Sequence, residues 1–492
     1  MPPGPTFDNS YACLPERFFA RVLPARWPEP QLIELNTKLA GTLQIDPDWL
    51  SGGEGVAFLS GQAIAEGSDP IATAYAGHQF GNFVPQLGDG RAILLGEVLD
   101  RVGRRLDIQL KGAGRTPFSR GGDGRAAVGP VLREYIVSEF MAAVGIPTTR
   151  GLAAVATGEA VFRDRMLPGA LLVRVASSHI RVGTFQYFAA RQDGEALKAL
   201  ADYVIARHYP QAASASQPYR ALLDGVIAAQ AKLIARWLSV GFIHGVMNTD
   251  NMSVAGETID YGPCAFMDTY DPATVYSSID RLGRYAYANQ PGIAVWNLTR
   301  LAETLLPLLH TDMEQSIAAA EEALAAFEPQ FTQAHHAAVM SKLGIAAVYD
   351  SDAAFASELF TDLARNQVDF TLFFRRLAAA IEPGVADEPL RSLFVDPTAA
   401  DALLARWRAR LAAEPETPPV RRARMIRTNP AYIPRNHRIE AVIAAATTEG
   451  DFGPFHELVS VLSQPFDDQP DYAGYAEPPL EHERVLATFC GT

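Results

Sequence analysis

Residues 71 to about 190 come in short blocks where glycines, β-branched residues and basic residues alternate, and beyond 190 the chain turns to long Ala- and Leu-rich stretches. Strands gathered early and helices gathered late specify an α+β fold with sheet and helices segregated. Residues 91–98 and 105–111 read as strands joined by a turn at Val102-Gly-Arg104. Pro130 suits a first helical turn, and Val131, Leu132, Tyr135, Ile136, Phe140 and Met141 then recur at helical spacing until Gly145-Ile-Pro147 stops them. Residues 171–176 give another strand. Helices are expected at about 195–208, 218–240, 298–309, 314–345, 352–382 and 398–412. Residues 1–60, interrupted by Pro and Gly, read as an N-terminal extension wrapped on a neighbouring part; 413–440 read as irregular chain, and the acidic, Pro-rich last thirty residues as a loosely packed tail.

At 492 residues the chain exceeds one domain of ~150 residues. The expected division is an extension at 1–60, a nucleotide-binding part at 61–160, a mostly helical part at 161–412 and a C-terminal segment at 413–492. A hydrophobic content of 48% with 20% charged residues fits an ordinary globular protein. The net charge of −14 argues against a general nucleic-acid coat but leaves room for a locally positive phosphate site. The first thirty residues lack the apolar core of a secretion signal, and no run approaches the ~20 apolar residues needed to span a bilayer, so a cytoplasmic protein without a membrane partner is expected. Three cysteines (Cys13, Cys264 and Cys490) without zinc-ligand spacing imply neither a disulfide framework nor a zinc site.

The chemistry concentrates in His244-Gly-Val-Met-Asn-Thr-Asp-Asn251 and the following Asp260-Tyr-Gly262. Protein kinases place an Asp two residues after such a His, an Asn five residues further on, and an Asp-Phe-Gly triplet downstream. The first Asp takes the proton of the attacking hydroxyl, while the Asn and the second Asp hold magnesium. Asn251 and Asp260 are in register with the metal pair. The base position is Val246, which cannot accept a proton, and Asp250 stands beside the gap. Either the chemistry is lost or the base has moved.

Other members of a phosphate site occur in the right order. Gly88-Asp-Gly-Arg91 could bring backbone N–H groups to phosphate, or could be a plain hairpin turn. Lys111 ends a strand, and Glu134 follows 23 residues later on a helix, where kinases pair the two; a surface ion pair is the ordinary alternative. Five glycines with Arg115, Arg120 and Arg125 make residues 112–125 a flexible, positively charged loop, in which Asp123 suits hydrogen bonds from hydroxyls or amines. Arg174 interrupts an apolar strand and, with Arg181, reads on its own as a structural ion-pair former, although the guanidinium fork also suits phosphate. His244 is expected to orient the loop. His78, in Tyr75-Ala-Gly-His-Gln-Phe-Gly81, suggests no chemistry. Asp451-Phe-Gly453 has no catalytic loop before it and reads as a turn opening a helix.

Taken in order, Gly88–Arg91, Asp107-Ile-Gln-Leu-Lys-Gly-Ala-Gly-Arg-Thr-Pro-Phe-Ser-Arg120, Gly121-Gly-Asp-Gly124, the His244 and Asp260 blocks and Asn429-Pro-Ala-Tyr-Ile-Pro-Arg-Asn-His437 resemble the selenoprotein O family over nearly the whole chain. The resemblance implies a protein-kinase-like two-lobed fold with an extra N-terminal segment and helical C-terminal additions. It implies transfer of AMP from ATP, bound inverted relative to kinases, to Ser, Thr or Tyr hydroxyls of proteins, with release of pyrophosphate. Some members use UTP and manganese, so Mg²⁺ or Mn²⁺ and either nucleotide stay open. By matching positions, Lys111, Arg174 and Arg181 would grip the phosphates, and Gly88, Gly90, Arg91, Asp123 and Gly124 would line the rest of the nucleotide site. Asp250 would be the base, Asn251 and Asp260 the metal ligands, and Glu134 the partner of Lys111. Many members carry selenocysteine near the C-terminus, where this chain has Cys490; a reversible Cys264–Cys490 disulfide pinning the tail over the site is one reading, and two unrelated thiols the other. A γ-phosphoryl-transferring kinase and an inert nucleotide-binding scaffold are the alternatives. The protein is expected to be a monomer whose substrate choice lies in the helices after 300.

Overall fold

The computed structural model describes residues 4–349, 351–384 and 387–489. Ten strands precede the helical half: β1 (Phe19–Arg21), β2 (Gln31–Leu35), β3 (Ile71–Thr73), β4 (Gly77–Gln79), β5 (Asn82–Val84), β6 (Ala92–Leu99), β7 (Arg105–Lys111), β8 (Ala126–Ala127), β9 (Arg150–Phe162) and β10 (Met166–Ala176). Among the described residues, eight of them form one sheet in the order β1-β3-β6-β7-β10-β9-β2, with β8 paired to β10, while β4 and β5 make a separate hairpin. All its pairings are antiparallel, and Arg174 lies opposite Gln109.

Alternation along the central strands decides what each sheet face carries. In β7, Ile108 and Leu110 point to the face covered by α1 (Thr37–Thr42), α2 (Pro47–Ser51) and α3 (Gly53–Leu59), where Leu39, Leu43, Leu50, Phe58 and Leu59 are buried with Val173 and Val175 of β10. Gln109, Lys111 and Arg174 therefore fall on the opposite face. That face is crossed by α4 (Val128–Ala143), whose Val131, Leu132 and Tyr135 pack with Leu94, Ala154 and Leu172. Pro130 sits in the first turn of α4, and Gly145, with φ 76°, follows its end, a conformation that favours glycine.

The first sixty residues are thus part of the sheet and of its core rather than a wrapping added to it. The thirteen-residue β9 is the long strand that sequence reading does not anticipate.

Beyond the sheet come α5 (Val182–Ala189), α6 (Gly194–His208), α7 (Pro218–Ser239), the short antiparallel pair β11 (Phe242–Ile243) and β12 (Ala265–Phe266), and α8 (Gln290–Leu309). The helix expected at 298–309 starts earlier because Pro291 sits in its first turn. The stretch 314–345 divides at Ala326, and 352–382 divides where Gln367 takes φ 51° and Asp369 caps the helix Phe370–Leu377. Residues 413–440 are not irregular: Pro418–Thr428 is a helix opened by its paired prolines, with Arg421 and Met425 buried one turn apart, and Asn436–Thr448 is another. The Asp451-Phe-Gly453 turn does open a helix, Gly453–Leu462.

The tail is anchored. Thr488 is buried, bridges Ser277 in parallel, and donates from N to the Tyr276 carbonyl (2.7 Å) and from Oγ1 to that of Pro263 (2.5 Å). Further anchorage comes from Arg435, 1% exposed, which pairs with Asp268 (2.5 Å) and Asp369 (2.9 Å). The Asn436 side chain bonds both backbone groups of Phe266, extending β12 by an amide that imitates a strand. Among the described residues no helix is long and apolar enough to cross a membrane.

Candidate active site

Three cations meet on one carboxylate. Lys111 Nζ, at the end of β7, donates to Asp260 Oδ1 (3.0 Å) and to Glu134 Oε2 of α4 (2.5 Å). Arg174 Nη1, from β10, reaches Asp260 Oδ1 (2.7 Å) and Glu134 Oε1 (3.2 Å), while its other nitrogens donate to Gln109 Oε1. Arg181 Nη2, just before α5, lies 3.4 Å from Asp260 Oδ2, and its Nη1 lies 3.4 Å from Asp89 Oδ1. Its guanidinium also stacks 4.2 Å from the Tyr75 ring centroid. Arg174 and Arg181 are almost fully buried, so their positive charge is unscreened by water. Burial by itself would raise the Asp260 carboxyl, but Lys111, Arg174 and Arg181 outweigh it and hold it well below the usual carboxylate range. The Asp260 backbone is left-handed (φ 61°), an uncommon conformation for a residue with a side chain, and Gly262 N closes back on its carbonyl (2.8 Å).

His244 ties the two loops together. Fully buried, it exchanges a hydrogen bond through Nε2 with the Ile259 carbonyl (3.0 Å), one residue before Asp260, while its own N–H donates to Gln290 Oε1. Burial lowers its pKa, so the ring is neutral and Nε2–H is the donor. It is a positioning residue. Val246 is buried, and its carbonyl accepts from Asn251 Nδ2 (3.0 Å). That bond commits the Asn251 nitrogen, so the amide oxygen is the atom a metal would meet.

Asp250 lies under the β4–β5 hairpin, 7% exposed. Gln79 Nε2 approaches its Oδ2 (3.3 Å), and its Oδ1 has no hydrogen-bond partner. Burial pushes its carboxyl up to about 6, against the hydrogen bonds of its own backbone and of Gln79. The space is made by missing side chains: a Cβ on Gly77 would stand 2.5 Å from Asp250 Oδ1, and one on Gly183 would collide with the Ala76 carbonyl at 2.1 Å.

The hairpin is the part that the sequence hid. His78 N donates to Thr249 Oγ1 (2.7 Å), and Phe80 N to Asn248 Oδ1 (3.0 Å). Gln186 links Thr249 (2.6 Å) to the His78 ring (2.8 Å). The stretch Tyr75–Gly81 is distinctive in sequence, but its contacts are made through backbone groups and residues about 170 positions away, which no local pattern discloses.

The remaining expected residues lie in the Gly-rich loop. Gly88 (φ 74°) and Gly90 are covered by Phe118, with a Cβ on Gly88 standing 2.3 Å from its ring. Thr116 Oγ1 donates to the Asp89 carbonyl (2.6 Å), and the Arg91 carbonyl accepts from Gly112 and Ala113. The Arg91 side chain has no ion pair among the described residues. Asp123 accepts from Arg163 (2.8 Å) and from Arg125 N (2.9 Å), which lower its pKa. Gly114 N donates to the Gly124 carbonyl (3.0 Å), closing the neck of the loop. Cys264 is buried beside β12; Cys490 lies outside the described residues.

No group of three or more His, Cys, Asp or Glu among the described residues could enclose a metal ion. Asn251 and Asp260 offer two hard oxygen donors instead. That set suits magnesium or manganese sharing its coordination with substrate phosphates and water, not zinc.

The family model described as "Protein adenylyltransferase SelO" matches residues 5–463. Proteins named "Protein nucleotidyltransferase YdiU" are similar over 99% of both chains: 63% identical in Rhodopseudomonas palustris (strain BisB5), 64% in Bradyrhizobium sp. (strain BTAi1) and 64% in Methylorubrum extorquens.

Proposed function

Because the chain belongs to the protein adenylyltransferase SelO family, we propose that it transfers AMP from ATP to Ser, Thr or Tyr hydroxyls of other proteins and releases pyrophosphate. UTP is a second nucleotide that the same site could take. The observation that carries this reading is the convergence of Lys111, Arg174 and Arg181 beside a buried carboxylate with one unpartnered oxygen, Asp250.

In the reaction the acceptor oxygen bonds to the α-phosphorus and the bond from that phosphorus to the bridging oxygen breaks. Pyrophosphate leaves with the electron pair, and the acceptor proton passes to Asp250. Charge grows on the leaving phosphates, so fixed cations there lower the barrier. Lys111, Arg174 and Arg181 supply them, each positioned by Glu134, Gln109 or Asp89. Asn251 and Asp260 would hold Mg²⁺ or Mn²⁺, which contributes further positive charge at the phosphates. Gly88, Gly90, Arg91, Asp123 and Gly124 line the approach to the nucleotide.

We read the architecture as kinase-like and two-lobed. Residues 61–160 and their flanking strands hold the nucleotide, and 161–412 supply the catalytic and metal loops of a cytoplasmic monomer.

The test is label transfer with Mg²⁺ or Mn²⁺ from α- or γ-labelled ATP to protein, wild type beside Asp250→Ala. Label from the α position alone, lost in the variant, is expected. Label from the γ position makes the protein a kinase, and no label from either refutes the enzymatic reading.

A further inference from the structure

The surface beside Asp250 carries a cation that the transfer chemistry does not use. The tip of the β4–β5 hairpin, Gly81-Asn-Phe83, is exposed, with Phe83 at 41%. Under it lies Arg284, close enough that a Cβ on Gly81 would stand 3.8 Å from the guanidinium. Arg284 stacks 4.8 Å from the Trp296 ring centroid of α8, and the His78 ring packs 5.2 Å from the same indole. The neighbouring Tyr285 hydroxyl donates to Asn248 Oδ1 (2.7 Å), two residues before Asp250. Arg284 is therefore built onto the catalytic loop.

Its charge is not neutralised by an ion pair, although the guanidinium also interacts with the Tyr285 side chain. Arg300, on the other contact of Trp296, is paired with Glu303 (2.7 Å). Arg284 has no carboxylate partner among the described residues, and its Nε is buried without a hydrogen-bond partner. A half-buried arginine held over an indole is preorganised for a carboxylate, because little rotamer freedom is left to lose. The chain as a whole carries −14, which repels acidic segments elsewhere.

We propose that Arg284, with Trp296 and the hairpin tip, is the acceptor subsite, and that it selects protein segments with Asp or Glu near the modified hydroxyl. This rests on the nucleotidyl-transfer reading above, since the occupant is the segment that delivers its hydroxyl to Asp250. It also moves substrate choice from the helices after 300 to the rim of the catalytic loop.

The test uses the full-length protein, ATP with Mn²⁺, and two serine peptides that differ only in flanking Glu or flanking Lys. The quantity read is the ratio of kcat/KM for the two peptides within one preparation, which an unfolded fraction does not alter. Wild type is expected to favour the Glu peptide about fivefold, the upper range for one partly exposed ion pair, and less at high salt. In Arg284→Gln the ratio should fall towards one, and in Arg284→Glu it should invert. A wild-type ratio of one, or a preference unchanged in Arg284→Glu, overturns the subsite while leaving nucleotidyl transfer intact. Absence of transfer to any peptide or protein overturns both.

Discussion

Replacing Gly77 by alanine separates the placement of Asp250 from its chemistry. The backbone at 77 is not in the left-handed region, so it accepts a side chain without strain of its own. The added Cβ would lie 2.5 Å from Asp250 Oδ1 and 2.9 Å from both its Cβ and Cγ. Carbon–oxygen contacts ordinarily sit at about 3.3 Å, so the carboxylate must retreat by about 0.8 Å. Turning the carboxylate in place does not help, because Cβ and Cγ are crowded too. A misplacement of about 1 Å costs about 10²-fold in rate. Gly77→Ala should therefore lose about two orders of magnitude in kcat for AMP transfer, with KM for ATP nearly unchanged, because the cations proposed to hold phosphate come from β7, β10 and the start of α5 rather than from the hairpin. The assay is incorporation from α-labelled ATP, with the ATP-induced shift in Tm measured in parallel. A variant with wild-type kcat would refute the placement argument; one losing nucleotide affinity in step with kcat would show that the damage is not local.

Asp107 gives a pH signature of the fold. Burial would raise its carboxyl, but Arg207 and His179 outweigh it and set the pKa to about 2, below the ordinary 3.8. A depressed carboxyl stabilises the fold above pH 3.8 and loses that contribution as pH falls through 2, here about 2 kcal/mol. Urea unfolding from pH 6 down to 2 should show a loss in Asp107→Asn that is smaller than the wild-type loss by that amount. Lys342 runs the other way: 4% exposed over Phe374, it is pushed down to about 7 by burial. Wild-type stability should rise between pH 7 and 10.5, by up to about 1.4 kcal/mol per pH unit, and Lys342→Met should flatten the rise. Arg435→Met strips a buried partner from Asp268 and Asp369 and should cost about 3–5 kcal/mol, read by chemical unfolding. Equal stability would mean that the C-terminal segment is held by its apolar contacts alone.

The sequence made local patterns readable and left long-range pairing hidden. β6, β7 and α4 were legible because apolar runs on either side of the Val102-Gly-Arg104 turn, Pro130 and Gly145 are local signals. The His244–Asn251 and Asp260–Gly262 blocks could be proposed as catalytic and metal loops because that chemistry demands fixed residue types at fixed spacing. β9 was not, since its partners β2 and β10 declare themselves only in three dimensions. Pro418-Pro419 suggests irregular chain and instead opens a helix, a case of one residue type serving two ends. The Tyr75–Gly81 hairpin shows the limit most plainly. It acts on Asp250 through the Gln79 amide, through backbone donors to the neighbouring Asn248 and Thr249, and through the space left by Gly77, and none of these follows a recognisable local pattern.

The cluster around Asp260 is electrically balanced before any nucleotide arrives. Lys111, Arg174 and Arg181 are matched one for one by Asp89, Glu134 and Asp260. A triphosphate brings several negative charges into this neutral pocket, and the chain keeps no surplus cation in the cluster to cancel them. If this pocket is the nucleotide site proposed above, the species it would accept is a nucleotide already escorted by divalent cations. Free metal concentration, as much as nucleotide concentration, would then set how often the site is filled.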